Sequence, residues 1–307
     1  MTPGSLTVEP SRTTSIVHSH VPELAFNGSK FANVTYNNDT ILSSTALIYK
    51  LAYNTAAAGQ PVALSSRYQN ETYSIVFDGP AVQCASAPAP LIRSLSIDYD
   101  ASLLGGPAFQ YVSWVPGDTF TAKQLIGLHP PTFTSTLDET NGTVARIYVA
   151  TNTGSWNETI PHVVTSNYTN YTYTAHAVKL NVTECKLYNA TYNVDYKFQY
   201  PNQTSKATSL KWLNPVRPPT ADLGHYETPV FDKTEEARLA YLSLMQAFGK
   251  LLVGYSTTNQ YNPTTLPAYT SWQIMDIDWS QAIDVQRGLE SLFQNLTLSL
   301  LSAAEFR

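Results

Sequence analysis

The chain has 307 residues, of which 43% are hydrophobic and only 13% are charged, and its formal net charge is −5. This length and hydrophobic content allow one large domain, or two smaller ones, with a well-buried core. Because basic runs, RNP-like motifs and zinc-finger spacings are missing from the sequence, neither nucleic acid nor an anionic membrane surface is expected as a partner.

Strand patterns dominate the first two thirds of the chain. Residues 1–40 are polar and without clear periodicity, which predicts a loosely ordered lead-in. From about 41 to 217, apolar and polar residues alternate as in strands with one buried face. Strands are predicted at 45–53, 62–67, 70–78, 92–98, 108–114, 144–150, 170–177, 191–200 and 207–213. Turn signals between them favour an antiparallel, sandwich-like β assembly over βαβ units.

The alternation also assigns side chains to the two faces of each strand. Cys185 and Leu187 would share the outward phase of Asn189 if their strand continued unbroken, so a bulge or turn is predicted at 186–188. Together with the helix pattern described next, the phases predict buried side chains at Phe77, Tyr173, Tyr196 and Leu292, and solvent-facing ones at Asn70, Asn170, Asn189 and Asn295.

Beyond the Pro-rich segment at 214–220 the periodicity becomes helical. Two amphipathic helices are predicted, at 232–254 and at 280–302. Their apolar stripes consist of Ala237, Tyr241, Leu244, Phe248 and Leu251, and of Ala282, Val285, Leu289, Leu292 and Leu296. We expect the segment 218–307 to pack both helices on the core of the β-rich part, which makes the fold α+β.

Acceptor sequences for N-glycosylation, Asn-x-Ser/Thr, are unusually frequent. About four are expected by chance from the content of Asn, Ser and Thr, whereas twelve are present. The excess predicts passage through a secretory lumen. Since a glycan is bulky and soluble, the acceptors should lie on the surface. They are Asn27, Asn33, Asn38, Asn70, Asn141, Asn157, Asn167, Asn170, Asn181, Asn189, Asn202 and Asn295.

The two cysteines, Cys84 and Cys185, agree with an oxidising compartment. A lone pair of cysteines there is more often bridged than free, so a disulfide is predicted, and two buried, unpaired thiols are the alternative. Neither cysteine belongs to a Cys-x-x-Cys motif or a Cys/His cluster, and no metal, cofactor or redox role is expected.

Few residues suggest catalysis. Asp98 and Asp100 form one Asp-x-Asp pair, and Asp276 and Asp278 form another, so each pair could act as acid and base or bind a metal. Helix capping is the competing interpretation of the second pair. Nucleophile elbows, P-loops and Rossmann glycines are missing from the sequence. The histidines lack the spacing of paired metal ligands; they are His18, His20, His129, His162, His176 and His225.

Aromatic residues offer a binding alternative, because a Tyr- and Trp-rich β surface can hold carbohydrate by ring stacking. Most Tyr residues fall on the apolar phase of the strands, which favours core packing for them. The candidates for a stacking platform are Trp114, Trp156, Trp212, Trp272 and Trp279.

The first twenty residues lack the apolar segment of a signal peptide, and an uncharged apolar run long enough to cross a bilayer is missing from the sequence. A glycosylated protein needs a route into the lumen. We therefore expect this chain to be part of a larger protein whose membrane segments lie beyond it.

Three stretches stand out: YSIVFDGPAVQC at 73–84, ECKLYNATYNVDYKFQY at 184–200 and LESLFQNLTLSLLS at 289–302. Their distinctive residues are Gly79, Pro80 and Cys84, then Cys185, Asn189, Ala190 and Tyr192, and finally Glu290, Asn295 and Leu298. With these residues in place, the stretches resemble the ectodomain of a family of fungal (ascomycete) integral membrane glycoproteins. The resemblance covers roughly residues 40–302 and implies a location and a topology, without an activity.

The sequence thus predicts a non-catalytic, N-glycosylated extracellular or lumenal domain of a fungal membrane protein, with a structural or recognition role. The partner candidates for such a domain are cell-wall polysaccharide or other surface proteins. The alternative is a secreted carbohydrate-active enzyme that uses one of the Asp-x-Asp pairs.

Overall fold

The computed structural model describes residues 31–37, 39–63, 70–92, 108–115, 145–166, 169–199, 202–217, 233–258 and 284–303. The elements in chain order are β1 (Ala32–Asn37), β2 (Asp39–Ser44), α1 (Ala46–Ala58), β3 (Asn70–Ser86), β4 (Ala108–Trp114), β5 (Arg146–Ser166), β6 (Thr169–Gln199), β7 (Asn202–Pro215), α2 (Lys233–Leu252), β8 (Gly254–Thr258) and α3 (Val285–Leu300). The fold is mixed α+β and rich in antiparallel sheet, as predicted, while the sandwich-like stacking stays a prediction. Strand β1 lies inside the segment expected to be a loosely ordered lead-in.

One antiparallel sheet organises the described part of the chain. Its strand order is β3-β6-β5-β4-β8, and β7 pairs with β6 as a branch off this path. Strand β6 is 31 residues long; its first half pairs with β5 and its second half pairs with β3 and β7. This strand therefore holds three neighbours in register. Strands β1 and β2 form a separate hairpin.

Most strand predictions are confirmed where the structure describes them. The strands predicted at 70–78, 108–114, 144–150, 170–177, 191–200 and 207–213 fall largely within β3, β4, β5, β6 and β7. Those predicted at 62–67 and 92–98 lie mostly outside the described residues. The predicted burial of Phe77, Tyr196 and Leu292 is confirmed, and the side chain of Tyr173 lies outside the described part.

The bulge predicted at 186–188 is wrong for β6 itself. The pairing of β6 with β3 has no register shift, and the shift against β7 arises from an extra residue in β7. The alternation needs no reset because different stretches of β6 bury opposite faces of the sheet. Cys185 and Leu187 pack in a cluster with residues of α1, α2 and α3, whereas Tyr192 and Tyr196, of opposite parity, pack in a second cluster that also contains Leu298 of α3.

The strand predicted at 45–53 is wrong, because helix α1 occupies this segment. Alternating bulky residues produced the strand pattern, yet the buried side chains follow helical spacing: Ile48, Leu51, Ala52, Thr55 and Ala56. The Ala-rich second half favours a helix. Gly59 ends it in the left-handed conformation, with φ 65°.

Helix α3 covers an edge of the sheet. Among the described strands β3 pairs only with β6, and its other edge carries backbone groups that need partners. Glu290 Oε1 accepts a hydrogen bond from the Cys84 N–H at 2.8 Å, and Thr297 Oγ1 donates one to the Pro80 carbonyl at 2.7 Å. These two bonds, seven residues apart on α3, align the helix with β3.

Gly79 allows this close approach. A Cβ atom built on Gly79 would lie 3.2 Å from Thr297 Cγ2 and 3.2 Å from Phe77 Cε2, and both neighbours are buried. We expect Gly79→Ala to lower the free energy of unfolding by about 1–3 kcal/mol, because the core has no room for the methyl group. Urea unfolding measures the change.

The same substitution at Gly288 is the matched control. Gly288 is an exposed residue inside helix α3 with no atom within 4 Å of a built Cβ, so Gly288→Ala should raise stability by about 0.5–1 kcal/mol through helix propensity. Equal effects of the two substitutions would contradict the proposed packing of α3 against Gly79.

Helix α2 holds the β1–β2 hairpin through buried polar groups. The Ser44 N–H donates to Gln246 Oε1 at 2.7 Å, and the Ser44 hydroxyl donates to the Ser243 carbonyl at 2.7 Å. Buried amides and hydroxyls need such partners.

Among the described residues, no helix is both long and apolar enough to cross a membrane.

Candidate functional site

A cavity of about 170 Å³ lies between α3 and the sheet. Its floor is largely apolar and comes from β3 and β7, with Ala81, Val82, Leu210 and Trp212. Its rim is polar and comes from α3, with Arg287, Glu290, Ser291 and Gln294. Tyr192 of β6 also lines it. An apolar floor with a few convergent polar groups is the usual form of a small-molecule site.

The rim follows from helical spacing. Arg287, Glu290 and Gln294 are three and four residues apart and therefore lie on one side of α3. Asp284 caps the helix by accepting a hydrogen bond from the Arg287 N–H at 3.0 Å, and its other carboxylate oxygen lies 2.9 Å from Arg287 Nε. The cap thus orients the guanidinium, whose side chain is 85% exposed at the mouth of the cavity.

Glu290 is fixed by the sheet edge. Its Oε1 accepts the Cys84 N–H, while among the described residues Oε2 has no hydrogen-bond partner. Glu290 also lines the cavity, so its second oxygen is available there as an acceptor. A carboxylate is a strong acceptor for hydroxyl donors.

Trp212 supplies the aromatic surface. It is half-buried and packs edge-on against Tyr188, with ring centroids 5.5 Å apart. Its cross-strand partner on β6 is Ala190, whose small side chain leaves space on this face. Trp212 is one of the five tryptophans predicted as candidates for a stacking platform, and of the two whose side chains the structure describes it is the one that lines this cavity.

Tyr192 closes the cavity from below. Its ring stacks on Phe77 at 5.1 Å, and its hydroxyl donates to the Pro80 carbonyl at 2.7 Å. Burial raises the pKa of Tyr192 well above its ordinary value, opposed by a hydrogen bond with Thr297. Its hydroxyl is therefore neutral at all physiological pH values and serves as a rigid support.

The arrangement is suited to binding. Among the described residues, no histidine or cysteine lines this cavity, and the carboxylate of Glu290 already holds a backbone N–H. The described residues contain no cluster of three or more His, Cys, Asp or Glu side chains that could hold a metal ion. What the cavity offers a ligand is an indole surface and hydrogen-bonding groups of both kinds.

A second polar cluster lies around Glu184 on β6. The side chain of Glu184 is 9% exposed and lies 3.2 Å from Lys186 Nζ and 3.6 Å from Arg146 Nη1, and it accepts the Tyr148 hydroxyl at 3.0 Å. The pKa of Tyr148 is raised above its ordinary value, first by burial and second by the negative charge of Glu184. The rings of Trp114 and Tyr148 are stacked with their centroids 5.2 Å apart. Trp114 therefore packs within the protein and is not a candidate for the stacking platform.

The sequence-predicted catalytic candidates are not brought together in the described part. Asp98, Asp100, Asp276 and Asp278 lie outside it, as do the side chains of all six histidines and of Trp156, Trp272 and Trp279. The capping interpretation of the second Asp pair is wrong for α3, because Asp284 is the residue that caps this helix.

The structure describes the side chains of four predicted glycosylation sites. Asn181 and Asn202 are exposed. Asn189 and Asn295 were predicted to face solvent but are half-buried, because each is held by a contact with another element: Asn189 Oδ1 accepts the Tyr241 hydroxyl at 3.2 Å, and Asn295 Nδ2 donates to the Gly59 carbonyl at 3.3 Å. The side chains of the other eight sites lie outside the described part.

Comparisons of the chain with protein-family models, with curated proteins and with solved structures find no match. The function is therefore inferred from the residues and their arrangement.

Proposed function

We propose that this chain is the N-glycosylated extracellular or lumenal domain of a fungal membrane protein, and that it serves as a recognition module without catalysis. The observation that carries the proposal is the number of acceptor sequences, twelve where about four are expected by chance. The fungal and membrane-bound origin rests on the resemblance of the segments around Cys84, Cys185 and Asn295.

The cysteine pair supports an oxidising compartment. Cys84 and Cys185 are directly paired across β3 and β6 and form a disulfide, which confirms the predicted bridge. The structure describes no free cysteine. Such bridges persist in secreted and lumenal proteins and are rare in the cytosol.

The exposed acceptors also support the proposal. Asn181 lies on β6, and Asn202 begins β7, where it pairs with Gln199 at the end of β6; both side chains are open to solvent. A glycan at either position can extend into solvent without displacing core residues. Recognition rather than catalysis is supported by the cavity beside Trp212, which offers binding groups on a rigid support.

Fractionation of cells that express the native gene tests the proposal. We expect the protein in the membrane fraction, with a faster electrophoretic mobility after treatment with peptide:N-glycosidase F. Protease added outside should cleave an extracellular domain in intact cells, whereas a lumenal domain should be protected in sealed vesicles. Recovery in the cytosolic fraction, together with unchanged mobility after the glycosidase, would contradict the proposal.

A further inference from the structure

We propose that the cavity between α3 and β7 binds one ring of a neutral saccharide, stacked on Trp212. This inference rests on the proposed recognition role and specifies its ligand. The observation behind it is the combination of an indole surface with side chains that can both donate and accept hydrogen bonds within one cavity.

The side chains match the chemistry of a sugar ring. One face of a pyranose carries C–H groups that pack on an aromatic ring, and half-buried Trp212 offers such a ring. Ring hydroxyls both donate and accept. Glu290 can accept through Oε2, Arg287 can donate, and the amide of Gln294 can do both.

The charges in the site favour a neutral ligand. The Arg287 guanidinium is paired with Asp284, and the Glu290 carboxylate holds the Cys84 N–H. Each charge therefore already has a partner inside the protein, and a second ionic ligand would have to compete with it. A polyhydroxylated ligand needs only the hydrogen-bonding positions that these pairs leave open.

The size of the cavity limits the buried part of the ligand. A volume of about 170 Å³ holds about six water molecules at roughly 30 Å³ each, which corresponds to about one sugar ring. The exposed Arg287 and Ser291 show that the mouth opens to solvent. The rest of an oligosaccharide can thus continue outward from the bound ring.

Isothermal titration of the full chain, produced through the secretory pathway and trimmed to single N-acetylglucosamine stubs, tests this inference. The probes are neutral hexasaccharides of glucose, mannose and N-acetylglucosamine, with hexagalacturonate as the acidic comparison. We expect at least one neutral hexasaccharide to bind. Trp212→Ala should weaken that binding about tenfold through loss of stacking, and Gln294→Ala about fivefold through loss of a hydrogen bond.

Tyr53→Ala is the matched control, since Tyr53 is a 48% exposed aromatic on α1 that does not line this cavity. It should leave binding unchanged. Gln294→Ala keeps the inference testable if Trp212→Ala fails to fold, because Gln294 lies on the polar rim of α3. Three results would overturn the inference: no neutral hexasaccharide binds at millimolar concentration, hexagalacturonate binds more tightly, or Gln294→Ala in the folded protein leaves binding unchanged. None of these results depends on glycan occupancy. A failure of saccharide binding can therefore be told apart from a failure of the proposed function, which the fractionation and glycosidase experiment tests.

Discussion

Replacing both cysteines, Cys84→Ala with Cys185→Ala, is expected to lower the free energy of unfolding by about 4–5 kcal/mol at 25 °C. The bridge closes a loop with a sequence separation of 101 residues, and long loops lose the most conformational entropy in the unfolded state when closed. Both cysteines lie in the main core cluster. Urea unfolding of the double variant and of the parent protein measures the difference.

Reduction of the parent protein is the matched control, because it opens the bridge and keeps both sulfur atoms in the core. The reduced protein should lose nearly as much stability as the double variant. The single variant Cys84→Ala should behave like the double variant, since either change opens the loop. A loss below about 1 kcal/mol in all three would contradict a stabilising bridge between β3 and β6.

Alkaline pH is expected to unfold the protein steeply. Burial raises the pKa of Tyr111, Tyr192 and Tyr241 above the ordinary value of 10.0. Above pH 10 the unfolded chain therefore releases three protons that the folded chain keeps. The stability is fully present below pH 10 and falls as pH rises, by about 1.4 kcal/mol per pH unit for each tyrosine, or about 4 kcal/mol per unit for the three.

Urea unfolding at pH 9, 10.5 and 11.5 measures this slope. Tyr241→Phe removes one of the three titrating hydroxyls, so it should reduce the slope by about a third. Tyr241 is chosen because its bond to Asn189 is the longest of the three at 3.2 Å. The absorbance of tyrosinate at 295 nm should show a late, cooperative step that coincides with unfolding. Complete ionisation of all 20 tyrosines near pH 10 in the folded state would contradict the prediction.

Local patterns predicted the parts of the fold that depend on local physics. Alternation identified about half of each of β3, β6 and β7, because within those stretches one face of the strand packs in a core. Helical spacing identified α2 and α3, although α2 is buried on all sides from Leu239 to Gly249 and not along one stripe alone. The pairing of Cys84 with Cys185 followed from counting, since a chain with two cysteines allows one intramolecular bridge.

Helix α1 was missed because two signals competed. Leu47, Tyr49, Leu51 and Tyr53 alternate with other residues as in a strand, yet Leu47 and Tyr53 are exposed in the helix. The alanines at 56–58 and the following glycine favoured a helix end. The bulge in β6 was predicted wrongly because a single strand was assumed to bury one face along its entire length.

The cavity could be predicted only in part. Trp212 was a candidate from its residue type, whereas Glu290 and Gln294 carry no motif. Their position depends on α3 lying along the edge of β3, and Glu290 meets Cys84 across 206 residues of chain. A contact over that distance results from the packing of the whole fold, which a local pattern does not contain.

Site-by-site glycan mapping tests the central claim most directly. The protein should come from cells that express the native gene, because an added signal peptide would expose any acceptor to glycosylation. The account predicts N-glycans at exposed Asn181 and Asn202 and none at Asn262, where the following proline blocks the acceptor sequence. Mass spectrometry that finds both Asn181 and Asn202 unmodified would contradict the assignment to an extracellular or lumenal compartment.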